Sequence, residues 1–322
     1  MGSMMPEQSD SRQPCTILLP LFNGANFLSQ SINNLCKIAG PEDEILIIDD
    51  GSTDITKQEI DALCERDSRI IVHSCHHRGL VETLNYGIEN ASHEFIARAD
   101  IDDTYDDRRI AVQVEYLSNN PDISAVFSDY KMVNSSGANL GVFPSAISPE
   151  LTAFSLINSQ RTAHPSVMYR KSAVIAAGSY LPADFPAEDL ALWIRLVDRG
   201  KIASLPKVLL NYTVHSASIT QSKQELMRKK SLDLRKVFSS RPVNLATIDK
   251  TQTLLSQYKK LPDRNLRILF FLEDLISFNR LTNGHHQRKI MTIVARQLLS
   301  RNLFLLPPTL YVLFMKLKRK LN

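Results

Sequence analysis

The chain of 322 residues has little of several features that mark particular classes of protein. Its four cysteines show neither Cys-x-x-Cys spacing nor a paired framework, which argues against a disulfide scaffold and favours reduced thiols in a cytosolic protein. Low-complexity segments and short repeats are absent. No run reaches the roughly 18 to 20 apolar residues that a membrane-spanning helix needs. The sequence therefore predicts neither a disulfide framework nor a transmembrane segment.

What the chain does contain is enough apolar material, 43% of its residues, for a sizeable core. Its length suits either one large domain or a domain with an extension. At the start, Met1–Met4 resembles the remnant of an expression tag, and the polar residues up to Pro14 are expected to be disordered. We therefore expect the folded part to begin at Cys15.

The net charge of +4 hides a division along the chain. Residues 1–200 carry 15 Lys and Arg against 28 Asp and Glu, a balance of −13, whereas residues 201–322 carry 23 against 6, a balance of +17. The acidic part is suited to cations, and the basic part to an anionic partner, either nucleic acid or an anionic membrane surface. Because no basic motif with interleaved aromatic residues supports it, we expect no nucleic-acid binding.

Short apolar runs alternate four times with segments of helical spacing. The predicted strands are Cys15–Phe22, Glu44–Ile48, Ile70–His73 and Phe95–Ala97, and the predicted helices contain Leu28 to Leu35, end near Glu65, and span Leu80–Asn90 and about Asp107–Asn119. This alternation predicts a parallel sheet with helices on both faces. Ligands of such sheets bind at the carboxyl ends of the strands.

The second half continues with more strands and then with basic helices. The predicted elements are a strand at Ser124–Phe127, a turn at Asn134–Gly137, a strand over His164–Arg170 entered through its His-Pro corner, a helix after Ala187 and a strand at Val208–Val214. From about Ser218 the segments are helical and rich in Lys and Arg. The apolar, proline-broken end, Leu303–Met315, is followed at once by basic residues, which suits a helix lying in an anionic membrane interface. Packing against the protein's own core is the alternative.

Three acids follow the predicted strand at Phe95–Ala97, namely Asp100, Asp102 and Asp103. Alternate residues of an extended chain point to the same side, so Asp100 and Asp102 are placed to offer oxygens to one hard cation. Mg²⁺ or Mn²⁺ held by few protein ligands keeps positions open for the phosphate oxygens of a nucleotide diphosphate. The alternative is that the three acids only solvate a loop.

Two other acidic segments have simpler alternatives. Asp49–Asp54 follows the second predicted strand and resembles a fragment of a calcium loop, but the later Glu ligand and the flanking helices are missing. A turn in which Thr53 or Asp54 caps the following helix explains the same residues. Glu188 and Asp189 begin a predicted helix, where acids also stabilise the helix dipole.

Taken together, five motifs in order resemble glycosyltransferase family 2, the inverting sugar transferases of the GT-A fold. The motifs are Pro20-Leu-Phe-Asn23, Asp49-Asp-Gly-Ser-Thr-Asp54, Arg98-Ala-Asp-Ile-Asp-Asp103, Glu188-Asp189 with Trp193 and Arg195, and Tyr212-Thr-Val-His-Ser-Ala-Ser218. The resemblance covers residues 15–220. It implies a Rossmann-like α/β domain with a mixed, mainly parallel sheet flanked by helices, followed by a basic helical region at 221–322.

Carried over residue by residue, the resemblance implies roles around a nucleotide-sugar donor. Phe22 would stack on the base, and Asp50 would hydrogen-bond to the base or ribose. Asp102 would be the main ligand of Mn²⁺ or Mg²⁺ with support from Asp100, Asp103 would touch the donor sugar, and His215 would close over the diphosphate or metal. The donor site would thus comprise Pro20, Phe22, Asn23, Asp50, Arg98, Asp100, Asp102, Asp103 and Glu188. For His215, a surface histidine at a strand end is the alternative.

The resemblance assigns the general base to Asp189. The residue types suit this chemistry independently, because a metal ion stabilises the charge that develops on a leaving diphosphate and an acceptor hydroxyl cannot ionise without a base. A single direct displacement inverts the anomeric centre, so an α-linked nucleotide sugar gives a β-linkage. By resemblance, UDP is the expected nucleotide of the donor, although GDP and dTDP donors also occur among similar enzymes.

The expected acceptor is a lipid-linked glycan, such as an O-antigen or capsule unit, at the cytoplasmic face of the membrane. A non-catalytic nucleotide-sugar-binding scaffold is one alternative. A sugar-nucleotide pyrophosphorylase is another, but Asn23-Gly-Ala-Asn26 does not supply its glycine-rich phosphate loop. The chain also departs from the family, with His77-Arg78-Gly79 where Asn-x-Gly is common. His77 could alter contacts near the donor's phosphate or base, so we leave it outside the expected site. Arg161 and His164 resemble the acceptor-side segment, although a buried, hydrogen-bonded histidine explains His164 as well.

Overall fold

The computed structural model describes residues 12–54, 56–65, 67–143, 152, 156, 162–215 and 223–239. Expectations for Arg161, for residues 216–218 and for the apolar C-terminal segment lie outside these residues. The chain divides into two compact units, one of residues 1–156 and 160–231 and the other of residues 157–159 and 232–322. The site lies in the first unit.

The helices and strands follow the alternation expected from the sequence. The strands are β1 Cys15–Leu21, β2 Glu44–Asp49, β3 Ile70–Ser74, β4 Phe95–Arg98, β5 Thr104–Tyr105, β6 Ile123–Asn134, β7 Asn139–Phe143, β8 Met168–Arg170 and β9 Lys201–Val214. The helices are α1 Ala25–Ile38, α2 Thr56–Cys64, α3 Leu80–Asn90, α4 Arg109–Asn119, α5 Lys171–Ala176, α6 Glu188–Val197 and α7 Gln224–Ser239. Short 3-10 turns lie at His164–Ser166 and Pro182–Asp184.

Within the described residues the nine strands form one sheet in the order β3-β2-β1-β4-β8-β6-β9-β5, with β7 paired to β6. Strands β1 to β4 are parallel to one another, as are β6 and β9. Strand β8 is antiparallel to its neighbours β4 and β6, and β5 and β7 are antiparallel additions. The predicted α/β fold with a mixed sheet and flanking helices is confirmed.

The core lies where the sequence is continuously apolar. All six residues of β2 are buried, because helices cover both faces of a parallel sheet. Helix α1 buries Leu28, Ile32 and Leu35 at helical spacing against this sheet. Helix α3 approaches β1 so closely that a Cβ on Gly87 would lie 2.3 Å from Cδ1 of Leu18.

Strand β9 is longer than predicted, and strand β8 is shorter. Strand β9 begins at Lys201 rather than Val208, although Pro206 lies inside it. The sheet accommodates the proline by a shift of register, since Ser128 pairs with Leu205 whereas Asp129 pairs with Val208. Strand β8 was predicted over His164–Arg170, but Pro165 keeps His164–Ser166 in a 3-10 turn, so the strand is only three residues long.

Candidate functional site

The three acids after β4 converge at the carboxyl end of that strand. Asp100, Asp102 and Asp103 each offer an oxygen atom that lies within 4.8 Å of the others. Asp103 is buried, and Asp100 and Asp102 are partly exposed. Residues 101 and 102 form a turn, so the expectation of an extended segment with alternating side chains was wrong about the backbone. The turn nevertheless brings the carboxylates together.

Buried groups fix the backbone on both sides of Ala99. The N–H of Asp100 donates to the phenol oxygen of Tyr105 at 2.8 Å, and Nη2 of Arg109 donates to the carbonyl of Arg98 at 2.7 Å. The guanidinium of Arg109 also lies over the Tyr105 ring, 4.2 Å from its centroid. Arg109 is fully buried. Helix α4 thus anchors the strand end that carries the acids.

Burial opposes full ionisation of this acid cluster. It raises the pKa of Asp100 to about 6, against the lowering effect of the Arg98 guanidinium, which forms a close ion pair with Asp100. Burial, followed by the charges of Asp100 and Asp102, holds the pKa of Asp103 well above its ordinary value. Without a cation, some of the cluster is therefore protonated at moderately acid pH.

The residues present fit a hard divalent cation. Oδ1 of Asp103 accepts the N–H of Thr213 at 2.7 Å, whereas its buried Oδ2 has no hydrogen-bond partner among the described residues. A buried carboxylate oxygen without a donor is costly unless a cation or proton satisfies it. Carboxylate oxygens are also the ligands that Mg²⁺ and Mn²⁺ prefer.

His215 lies beside the cluster at the end of β9. Its Nε2 is 2.6 Å from Oδ2 of Asp102, and its ring is tilted against Phe27 with centroids 5.4 Å apart. The structure therefore brings the expected metal-site histidine to the expected metal-site acid.

Asp50 is buried at the end of β2, where it faces the start of α3. Its carboxylate oxygens accept the N–H groups of Arg78 at 2.8 Å and Gly79 at 2.9 Å. Nδ1 of His77 lies 2.9 Å from Oδ2 of the same carboxylate. The imidazole of His77 also stacks on Phe22, with centroids 4.2 Å apart and planes 28° apart. His77 thus belongs to this site, although the sequence interpretation left it out.

Asn23 links the loops of the first two motifs. It has a left-handed φ of 51°, and its Oδ1 accepts the N–H of Thr53 at 2.8 Å. Asp54 reaches the same region, since its Oδ2 accepts the N–H of Ala25 at the start of α1 at 3.0 Å. Asp49 accepts the N–H of Ser52 at 3.0 Å. The Asp49 contact favours a turn over the calcium-loop alternative, whereas the Asp54 contact is with the start of α1, the helix that precedes Asp54 in the chain. Pro20 lies within β1.

Glu188 and Asp189 occupy the first turn of α6. Asp189 accepts the N–H of Leu190 at 2.6 Å. Glu188 is buried, and burial followed by the charge of Asp189 raises its pKa to about 7. Its Oε2 has no hydrogen-bond partner in the described part of the chain, and its pKa also responds to the charges of Arg98 and Asp100. The start of α6 therefore lies close to the acid turn.

An aromatic cluster holds α6 in place around Trp193. The rings of Phe127 and His164 meet Trp193 edge-on, with centroids 5.1 and 5.6 Å away. Nε2 of His164 lies 2.7 Å from the Tyr180 hydroxyl, and burial holds the pKa of His164 well below its ordinary value. Asn85 pairs with both backbone groups of Tyr180, donating at 2.8 Å and accepting at 2.9 Å. His164 is thus a partly buried, hydrogen-bonded histidine, which is closer to the second of the two sequence alternatives.

Comparison with known families matches this arrangement. The model of "Glycosyl transferase family 2" matches residues 16–176. An uncharacterized glycosyltransferase of Rickettsia conorii is 26% identical over 228 residues, covering 68% of this chain and 36% of the relative. The poly-beta-1,6-N-acetyl-D-glucosamine synthase of Staphylococcus aureus is 28% identical over 199 residues, covering 59% of this chain and 47% of the relative. The chain thus spans about a third to a half of the length of these curated relatives.

Solved structures share the fold. Residues 1–349 of S. aureus TarS, in complex with UDP, give a TM-score of 0.54 at 18% identity, covering 86% of this chain and 92% of that one. The mannosyltransferase of Pyrobaculum calidifontis, in complex with GDP-Man and Mn²⁺, gives 0.55 at 15% identity, covering 90% and 81%.

Proposed function

The chain belongs to glycosyltransferase family 2, and we propose that it is a metal-dependent, inverting enzyme that transfers a sugar from a UDP-sugar to a glycan hydroxyl. The convergence of Asp100, Asp102 and Asp103 beside the buried Asp50 carries this proposal. Both groups lie at the carboxyl ends of parallel strands, where ligands of such sheets bind. The UDP and UDP-GlcNAc complexes of TarS support the choice of donor, and the Mn²⁺ complex of the mannosyltransferase supports a divalent ion.

On this proposal, the donor lies along the carboxyl edge of the sheet. Phe22 and Asp50 bind the base, and Asp103 with Arg98 and Glu188 borders the donor sugar. Asp102 and Asp100 would hold Mn²⁺ or Mg²⁺, with His215 and the unpartnered Oδ2 of Asp103 next to them. When bound, the ion neutralises the charge that develops on the leaving diphosphate.

Asp189 is the general base in this mechanism. The acceptor oxygen attacks the anomeric carbon while its proton passes to the carboxylate of Asp189. The bond from the anomeric carbon to the β-phosphate oxygen breaks, and its electron pair leaves with UDP. Because this is one displacement, an α-linked donor gives a β-linked product. A product with retained α-configuration by NMR would overturn this mechanism.

The proposed acceptor is a lipid-linked glycan, such as an O-antigen or capsule unit, used at the inner face of the cytoplasmic membrane. The +17 balance of residues 201–322 supports a site on an anionic membrane, and helix α7 exposes Arg228 and Lys229. Among the described helices, none is both long and apolar enough to cross a bilayer. Truncation after Asn302 should weaken pelleting with anionic vesicles more than it weakens donor binding. Equal pelleting of both forms would contradict membrane binding by that tail.

A thermal-shift screen tests the donor site directly. The wild type and Asp102→Ala are melted with UDP-, GDP- and dTDP-sugars, each with and without Mn²⁺. A ligand of the folded state raises the melting temperature, so we expect a shift with a UDP-sugar that needs Mn²⁺ and is lost in the variant. If no nucleotide shifts the wild type, donor binding is contradicted. If the shift occurs without transfer to any glycan acceptor, the scaffold alternative is favoured.

A further inference from the structure

His77 makes the two contacts that the proposed function assigns to the nucleotide base. Its imidazole stacks on Phe22 at a centroid distance of 4.2 Å. The same ring places Nδ1 2.9 Å from Oδ2 of Asp50. The flat imidazole ring therefore contacts both groups that are proposed to bind the base, the aromatic face of Phe22 and the buried carboxylate of Asp50.

The chemistry of the imidazole explains how it can take the place of a nucleobase. Nδ1 of His77 lies 3.2 Å from the carbonyl oxygen of Asp50 and 2.9 Å from its Oδ2. Both oxygens are acceptors, so Nδ1 carries the proton that it shares with Asp50. A ring N–H beside a flat π-face is also what uracil, thymine and guanine present. The contacts of the imidazole are thus those that a nucleobase with a ring N–H would make.

We propose that His77 occupies the place of the donor's base when the site is empty, and that it must swing out when the nucleotide binds. This inference rests on the proposed function, because it concerns the same donor site. His77 thereby sets the affinity and selects for bases that can restore both contacts it gives up. A base without a ring N–H donor would displace the imidazole without satisfying Asp50 in the same way.

The surroundings allow this exchange. The His77 side chain is 58% exposed and Phe22 is 46% exposed, so the imidazole can rotate into solvent without opening the core. Asp50 keeps the N–H groups of Arg78 and Gly79 after His77 leaves, which hold the carboxylate in position. Departure of His77 therefore uncovers a base site that is already formed.

The exchange has a direct effect on affinity. A ligand that binds only the open form has an apparent Kd raised by the inverse of the open fraction. One stacked, hydrogen-bonded contact at a half-exposed position is enough to favour the closed form by roughly fivefold. Removal of the imidazole should therefore tighten nucleotide binding, whereas removal of a genuine base-binding wall would weaken it.

Isothermal titration of the full chain with UDP and Mn²⁺ separates these cases. We expect His77→Ala to lower the Kd of UDP by about fivefold, and His76→Ala, which changes an exposed neighbouring histidine, to leave it unchanged. His77→Asn, which restores the family's common residue, should also bind more tightly than the wild type. In the wild type, UDP should shift the side-chain ¹⁵N resonances of His77 as the ring leaves Phe22 and Asp50.

The possible results are distinguishable from failure of the proposed function. An equal or higher Kd for His77→Ala, with UDP still bound by the wild type, overturns the role of His77 and leaves the donor site intact. If UDP binds to His77→Ala but not to the wild type, the result supports both the role of His77 and the proposed function. If neither form binds any nucleotide with Mn²⁺, the proposed function is overturned and this inference with it. Thermal melts of each variant check that it is folded.

Discussion

Nε2 of His215 lies 2.6 Å from Oδ2 of Asp102, a hydrogen-bond distance that joins the end of β9 to the acid turn after β4. Two ligands on one octahedral ion with bonds of about 2.1 Å lie roughly 3 Å apart, so a shared metal would require these atoms to separate slightly. The contact also orients Asp102. Groups that orient a metal ligand commonly change affinity by about 10- to 100-fold.

We therefore predict that His215→Ala raises the Kd for Mn²⁺ in the presence of UDP by about tenfold. Calorimetric titration of Mn²⁺ into the UDP-saturated protein measures this change, and His76→Ala serves as the histidine control. Unchanged or tighter metal binding would mean that His215 only competes for Asp102 and does not help to hold the ion.

Asp189→Asn should separate binding from chemistry. The amide keeps the size of the side chain at the start of α6 but cannot take a proton from the acceptor. We expect the Kd of the UDP-sugar to stay within about twofold, while turnover falls by about 10²- to 10⁴-fold. Donor titration and product quantification on the same preparation make the comparison. Turnover at the wild-type level would remove Asp189 from the role of base.

The raised pKa of Glu188 predicts that the stability of the protein depends on pH. Burial raises its pKa from 4.5 to about 7. The folded state therefore holds a proton that the unfolded state releases, and this contribution to stability is present below about pH 4.5 and lost as the pH rises through about 7. Glu188→Gln removes the effect.

The wild type should thus lose about 3 kcal/mol of unfolding free energy relative to Glu188→Gln between pH 4.5 and pH 8. Urea unfolding of both proteins in metal-free buffer at several pH values measures this difference. A difference that does not change with pH would show that Glu188 ionises as freely in the folded protein as in the unfolded one.

The sequence predicts much of this fold because its signals are local. Helix α3 was predicted with the bounds observed, since a glycine precedes an apolar face of helical spacing and the helix ends before the strand at Phe95. Strand β9 was predicted too short because Pro206 interrupts the strand pattern. Only the register shift against β6 shows how the sheet accommodates this proline.

The site was predictable in composition but not in arrangement. The acids of Asp100–Asp103 could be found as a motif, whereas the turn that gathers them depends on Tyr105 and Arg109, whose contacts are tertiary. The sequence also placed His77 near the donor's phosphate or base, but its contacts could not be predicted for the same kind of reason. Its position after β3 gives no sign that its ring reaches Phe22, which is 55 positions earlier in the chain.

Gly51 offers a test of how tightly that base site is built. It has a φ of +78°, and a Cβ there would lie 2.9 Å from the backbone nitrogen of His77 and 3.2 Å from the carbonyl oxygen of Cys75. Gly137 is a matched control, because its φ is +79° but no heavy atom lies within 4 Å of its Cβ position. Both alanine substitutions incur the cost of a left-handed backbone, about 1 kcal/mol.

Only Gly51→Ala should also push the backbone of residues 75–77, which cannot yield as a flexible side chain would. We expect it to reduce the unfolding free energy by about 2 kcal/mol more than Gly137→Ala does, and to weaken UDP binding by shifting the N–H groups of Arg78 and Gly79 that hold the Asp50 carboxylate in position. Urea unfolding and UDP titration of the two variants measure both effects. Equal losses of stability would show that the loops relax around a methyl group, and that the close approach at Gly51 is not needed to hold the base site together.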